Sequence, residues 1–229
     1  MNSIYFHQQG VRAVIVDLDG TMVDTLGDFD VALNQTLKDL KLAAVNRASI
    51  ERMVGKGSAH LIRSALLHVG LGEAEAAVLQ AEAWRRYQAH YLAVNGQHSA
   101  VYPGVVEGLT ALRERGLPLA CLTNKPLGFA RPLLQAKGLD SFFSLVFGGD
   151  SFERTKPDPL PLLKTCEALG TAPAHTLMVG DSQNDGIAAR AAGCPVVLVT
   201  YGYNHGDPIN QAPHDRLVHS LDELLRLAK

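Results

Sequence analysis

Apolar positions recur along the chain in two periods, and the way those periods alternate predicts the architecture. Val14-Ile15-Val16 is an unbroken apolar run, which reads as a strand covered on both faces, as in the middle of a parallel sheet. Shortly after it, Leu26, Phe29, Leu33, Leu37 and Leu40 fall at helical spacing with acidic and amide residues between them, predicting an amphipathic helix. The helical pattern then continues. Ser49 is placed to cap a short helix, Gly55-Lys56-Gly57-Ser58 breaks it, and Leu61, Ile62, Ala65, Leu66 and Val69 resume the period. Residues 73–91 are mostly Ala, Glu, Gln and Arg, with Trp84, Tyr87 and Tyr91 on one side, again a helix. No strand pattern occurs between Asp24 and about Ser99.

Beyond Tyr102-Pro103-Gly104 the two periods alternate. A helix carrying Val105, Val106, Leu109 and Leu112 precedes a strand at 117–123, a helix at 129–137 ending at Gly138, and a strand at 145–147. A helix at 160–169, a strand at 177–180, a helix at 186–192 and a strand at 196–200 follow. Ser220, with Glu223 three residues on, predicts a capping box that opens a last helix carrying Leu221, Leu224, Leu225 and Leu227. Such alternation implies parallel strands joined by right-handed crossovers. The expected fold class is therefore α/β, a three-layer doubly wound parallel sheet of Rossmann-like type. The helical stretch after the first strand reads as an inserted all-helical cap domain, residues 25–98, with a core of 1–24 and 99–229.

Composition narrows the partners. The 229 residues, 47% of them hydrophobic, suffice for one large domain or for a core with a smaller insert. Lys and Arg number 21 against 23 Asp and Glu, a net charge of −2 with no block of one sign, which argues against nucleic acid and against an anionic membrane. Cys121, Cys166 and Cys194 are scattered, odd in number and without metal-ligand spacing, as in a reducing cytosol. No apolar stretch is long enough to span a membrane, and Met1 to Gly10 lacks the pattern of a signal peptide. The expectation is a soluble cytoplasmic protein, monomer or homodimer, acting on a small molecule.

Candidate chemistry collects at the strand ends. Asp17 and Asp19 follow the first strand and precede Gly20, at the carboxyl edge where ligands bind in open α/β sheets. Alone, they also read as a strand-end cap and a turn residue. Thr123-Asn124 offers a hydroxyl and adjoining backbone N–H groups to a phosphoryl oxygen. Lys156-Pro157-Asp158-Pro159 supplies a point charge, with prolines fixing the backbone before a helix. In Val179-Gly180-Asp181-Ser182-Gln183-Asn184-Asp185, two acids after a strand suit a hard divalent cation, or cap the next helix.

Taken in order, these four stretches resemble the four signatures of the haloacid-dehalogenase-like superfamily of phosphotransferases. The resemblance implies that Asp17 is a nucleophile forming an aspartyl phosphate, with Asp19 the general acid and base. It implies Mg2+ held by the Asp17 carboxylate, the Asp19 backbone carbonyl and Asp181, with Asp185 orienting metal water. Thr123, Asn124 and Lys156 would bind the phosphoryl group. Tyr201-Gly202-Tyr203-Asn204 and Val54-Gly55-Lys56-Gly57 resemble loops of bacterial phosphoglycolate phosphatases, the second with lysine where asparagine is usual. That family hydrolyses 2-phosphoglycolate, and Lys56 and Arg63 in the cap are candidates for its distal carboxylate. Rival readings are a phosphatase for another small ester such as a sugar phosphate, a phosphomutase, and a non-catalytic phosphate-sensing protein on the same fold. A dehalogenase is disfavoured, because carbon chemistry has no need of Asp19.

Overall fold

The apolar run at 14–16, with Ala13, forms a four-residue strand in the interior of a six-stranded parallel sheet. The computed structural model of the chain describes residues 5, 6 and 9–227. Its strands are β1 (Tyr5–Phe6), β2 (Gln9–Gly10), β3 (Ala13–Val16), β4 (Val23–Asp24), β5 (Ala100–Val101), β6 (Leu119–Leu122), β7 (Leu145–Phe147), β8 (Thr176–Gly180), β9 (Val196–Val199) and β10 (Arg216–Val218). Its α-helices are α1 (Leu26–Asp39), α2 (Arg47–Met53), α3 (Ser58–His68), α4 (Glu73–Val94), α5 (Val105–Glu114), α6 (Leu127–Ala136), α7 (Leu160–Leu169) and α8 (Gln183–Ala192). No helix among the described residues is long and apolar enough to cross a membrane.

The large sheet runs β10-β9-β8-β3-β6-β7, every neighbouring pair parallel. Numbered from β3 along the chain and read from the β7 edge, this is the doubly wound order 3-2-1-4-5-6. Strand order reverses between β3 and β8, so the crevice of such a fold opens where these two strands end. Alternation along β3 separates the outer layers. Val14 and Val16 join an apolar cluster with Leu109 and Leu112 of α5 and Leu133 and Leu134 of α6. Ile15 faces the other way, toward Leu162 and Cys166 of α7 and Ala188 and Ala189 of α8.

Helices α1 to α4 build a second apolar cluster from the positions that the helical period marked, including Phe29, Leu33, Leu61, Ile62 and Tyr87. Phe129 of α6 and Tyr203 join it from the sheet-bearing part. The aromatic side of α4 is the seam: the Tyr91 ring lies 5.5 Å from Tyr87, 5.5 Å from Phe29 and 4.8 Å from Phe129.

Several expectations change in detail. The short helix α2 is capped by Asn46, whose side chain accepts from the Ser49 N–H at 2.9 Å, so Ser49 is the residue being capped. Asn46 holds the extended backbone a cap needs, whereas Ser49 is already helical. The last segment, Leu221–Leu227, is 3-10 rather than α. Glu223 there accepts from the His219 N–H at 3.0 Å, and the Ser220 hydroxyl turns to Asp222, so the capping box does not close. The side chains of Leu225 and Leu227, and part of the Met1 to Gly10 stretch, lie outside the described residues. Two paired segments carry no sequence pattern at all: β4 and β5, two residues each, form an antiparallel ribbon where the chain leaves for the helical insert and returns.

A buried carboxylate fastens that return. Asp28 of α1 is fully buried and accepts the Gly96 N–H at 2.8 Å and the His98 N–H at 2.7 Å. Replacing it leaves two backbone donors without partners, each costing on the order of 1–3 kcal/mol if it stays dry. Asp28→Ala is therefore expected to lower the unfolding free energy by about 2–4 kcal/mol in urea titrations, against a change near zero for the exposed Glu114→Ala.

Candidate active site

The carboxyl ends of β3, β6 and β8 bring the four sequence stretches to one edge. Asp17 follows the last residue of β3, its own N–H donating to the Val179 carbonyl of β8 at 2.9 Å. Its Oδ1 accepts from the Leu18 N–H at 2.7 Å, and its Oδ2 lies 3.0 Å from Lys156 Nζ. Asp181 leaves β8 on the other side of the crevice. It accepts from the Thr21 hydroxyl at 2.9 Å and the Tyr203 N–H at 2.6 Å.

Asp185 does two jobs. One oxygen accepts from the Ser182 N–H at 3.2 Å and hydroxyl at 2.8 Å, closing the start of α8, and the other lies 2.7 Å from Lys156 Nζ. Helix capping, one of the two alternatives the sequence left for Asp185, is thus one of its tasks, and the same side chain also bonds Lys156. Carboxylate oxygens of Asp17, Asp181 and Asp185 all lie within 4.8 Å of one another.

Three buried acids around one ammonium leave an imbalance of charge. Burial drives the Asp17 carboxyl up to about 7, against the pull of Lys156 and with the push of Asp185. Burial also holds Asp181 well above the usual carboxylate range, helped by the charges of Asp185 and Asp17. For Lys156 burial works against the charge, yet Asp17 and Asp185 outweigh it and raise the ammonium above its ordinary value. A divalent cation resolves such a surplus. Hard oxygen donors, converging and short of countercharge, fit a metal ion of the magnesium class.

Thr123 and Asn124 divide their work differently from the expectation. The Thr123 N–H is committed to the Phe147 carbonyl at 3.1 Å, and the Lys125 N–H to Thr123 Oγ1 at 3.1 Å. That leaves the Thr123 hydroxyl proton to donate into the pocket. The Asn124 side chain is a clamp: its Oδ1 accepts from the Lys156 N–H at 3.0 Å, and its Nδ2 donates to the Lys156 carbonyl at 2.8 Å and the Gly55 carbonyl at 3.0 Å. Asn124 therefore fixes the Lys156 backbone and touches the insert at once.

Asp19 sits farther out, accepting from the Thr25 hydroxyl at 2.8 Å. Its main partner is a residue the sequence reading passed over. Lys125 Nζ lies 2.8 Å and 3.0 Å from the two Asp19 oxygens, its side chain only 1% exposed. Adjacency to Thr123-Asn124 was the available signal. A lysine after a strand is ordinarily a solvated charge, so nothing local marked it.

Above these groups the insert closes the pocket with Phe29, Val54, Gly55, Gly57, Ser58 and Leu61. Lys56 and Arg63 do not line it. Lys56 is exposed on the loop, its charge felt by His60 and His205, and Arg63 pairs with Glu73 between α3 and the start of α4. Tyr203, by contrast, lines the pocket, its N–H on Asp181 and its hydroxyl accepting from the Thr25 N–H at 3.0 Å.

Comparison with known proteins gives this geometry its family. Residues 11–193 match the family model of the haloacid dehalogenase-like hydrolases. A phosphoglycolate phosphatase of Thiobacillus denitrificans is 43% identical over 213 residues, 93% of each chain. The crystal structure of a predicted phosphoglycolate phosphatase from Haemophilus somnus superposes with a TM-score of 0.88 at 35% identity, covering 96% of this chain and 98% of that one. CbbY from Rhodobacter sphaeroides, solved with xylulose-(1,5)-bisphosphate, shares the fold at a TM-score of 0.81 and 23% identity, covering 96% and 99%. With the sheet order, the acid cluster and this length of match together, the chain belongs to the haloacid dehalogenase-like hydrolases, within their phosphoglycolate phosphatase family.

Proposed function

We propose that this phosphatase hydrolyses 2-phosphoglycolate to glycolate and phosphate, with Mg2+ and through an aspartyl phosphate on Asp17. The observation that carries the reading is the pocket itself, a narrow space walled by Asp17 and Asp19 below and by the Val54 to Leu61 side of the insert above. A short ester fits under that wall. Relatives alike over nearly the whole chain bear the same activity in their names, which supports the choice of substrate.

Asp17 attacks phosphorus in line with the ester oxygen, its carboxylate held in place by the Leu18 N–H and by Lys156. Asp19, beside Thr25 and Lys125, gives a proton to the departing alkoxide and later takes one from water. Lys156 and the Thr123 hydroxyl steady the charge on the phosphoryl oxygens. Asp17, Asp181, Asp185 and the Asp19 carbonyl would hold the cation. When bound, it supplies positive charge that screens the repulsion between carboxylate and phosphate dianion. The insert, residues 25–98, acts as the cap that excludes bulk water. A second reading, hydrolysis of a sugar phosphate, draws on the likeness to CbbY, and a panel of phosphate esters assayed with Mg2+ separates the two.

Losing the nucleophile should be close to complete. Asp17→Asn is expected to cut Mg2+-dependent hydrolysis of an aryl phosphate by about 10^4-fold or more, with the fold retained by circular dichroism. A variant that kept a tenth of the activity would remove Asp17 from the reaction.

The acid cluster also predicts how stability follows pH. In the unfolded chain Asp titrates near 3.8, whereas burial holds Asp17 near 7 and Asp181 higher than usual in the folded protein. The folded state therefore binds more protons across that interval. Without metal, this contribution to stability is complete below the unfolded value and is lost as pH rises through about 7. Bound Mg2+ takes the place of those protons, so thermal melts should show a larger rise in Tm on replacing EDTA by Mg2+ at pH 8 than at pH 5. Equal rises at the two pH values would contradict the assignment of the cluster as the metal site.

A further inference from the structure

Lys125 is buried to a degree that its bond with Asp19 does not require. Its ammonium lies 4.4 Å from the centre of the Phe29 ring and 4.7 Å from that of Tyr91, so both aromatic faces come from the insert while the lysine comes from the sheet. Ring faces attract a cation without offering it a strong hydrogen-bond acceptor. A lysine ammonium has three N–H donors. The Asp19 oxygens accept two, and the third has no acceptor among the described residues. The Tyr91 hydroxyl is likewise buried without a partner among them.

Charge around the pocket points the same way. Of the described residues that line it, Asp17, Asp19 and Asp181 are acidic and Lys125 alone is basic. Lys156 lies deeper, engaged by Asp17, Asp185 and the Leu122 carbonyl. The two cations that the sequence offered for a distal carboxylate, Lys56 and Arg63, stand outside the lining. Among the charged side chains of the lining, Lys125 is thus the one that attracts a second anionic group on a substrate.

We propose that Lys125 binds the carboxylate of the substrate and so selects phosphate esters with a short anionic tail. The order of groups along the crevice fits this, and it rests on the phosphoglycolate reading above. Phosphorus at Asp17 sets the ester oxygen toward Asp19, two residues farther along. The carboxylate of 2-phosphoglycolate, one carbon beyond that oxygen, then meets the ammonium already in contact with Asp19. Phe29 and Tyr91 flank the ammonium at this spot from the insert side. Recognition of the tail is thereby tied to the group that protonates the leaving oxygen, and a tail with no anionic acceptor leaves the third Lys125 N–H unanswered in a dry site.

The test compares 2-phosphoglycolate with 2-hydroxyethyl phosphate, an ester of the same reach whose tail is neutral. In the unmodified enzyme kcat/KM should favour the anionic ester. Lys125→Met keeps the aliphatic packing and should shrink that preference by about 10- to 100-fold, beyond any loss common to both esters from the disturbed Asp19. Lys56→Ala should leave the preference within about twofold. A preference retained in Lys125→Met, or lost in Lys56→Ala instead, overturns the proposal. No preference in the unmodified enzyme would instead sink the phosphoglycolate reading. Should Lys125→Met not fold, a crystal structure of Asp17→Asn with 2-phosphoglycolate decides: the carboxylate within hydrogen-bond distance of Lys125 Nζ supports the assignment, and a carboxylate held elsewhere overturns it.

Discussion

Three carboxylates confined around a single ammonium are the constraint that the rest of this structure accommodates. Like charges brought out of water repel, and one lysine cannot answer three acids. The backbone makes the crowding sterically feasible through glycine. A Cβ on Gly20, where φ is +81°, would stand 2.1 Å from an Asp181 oxygen, and one on Gly202 would stand 2.2 Å from the Asp181 Cβ. Both positions pass so close to the acid that no side chain fits. The surplus of negative charge is thus built in by the chain's path, and it makes sense as the seat of a cation rather than as a device for stability.

Much of this was legible from the order of residues, because the information was local. Val14-Ile15-Val16 ending in Asp17 and Asp19 says strand, then chemistry at its carboxyl end, and the doubly wound order puts β8 with Asp181 next to it. The helices of the insert were readable from Leu26 to Tyr91 because each has one apolar face at a regular period. What escaped was set by contacts distant along the chain. Lys125 becomes a buried site residue only because Asp19, Phe29 and Tyr91 converge on it from separate elements. The Asn124 side chain serves as a brace, which no local pattern marked, since its partners Lys156 and Gly55 are both remote. The β4 and β5 ribbon is too short to show any period, and Ser220 with Glu223 had the spacing of a capping box while tertiary packing chose a 3-10 turn.

The insert and the sheet are joined by more than a covering surface. Tyr87 and Tyr91 stack along α4 against Phe129 of α6, an apolar seam that brings the aromatic faces to Lys125. The Tyr203 hydroxyl accepts from the Thr25 and Leu26 N–H groups at the start of α1 and bonds to Asp24, while its own backbone N–H holds Asp181. One tyrosine therefore links the metal-class acids to the first turn of the insert. Position of the cap and position of the acids are set by shared residues, so neither is adjustable alone.

The Gly55 carbonyl accepts from Asn124 at 3.0 Å and from Asn184 at 3.3 Å, both anchored on the sheet side. Any swing of the insert away from the crevice must break both bonds at a single oxygen. Asn124 also bonds the Lys156 backbone twice, and neither of those bonds involves the insert. One carbonyl oxygen thus joins the insert to the sheet side through two amides, one of which also holds the Lys156 backbone.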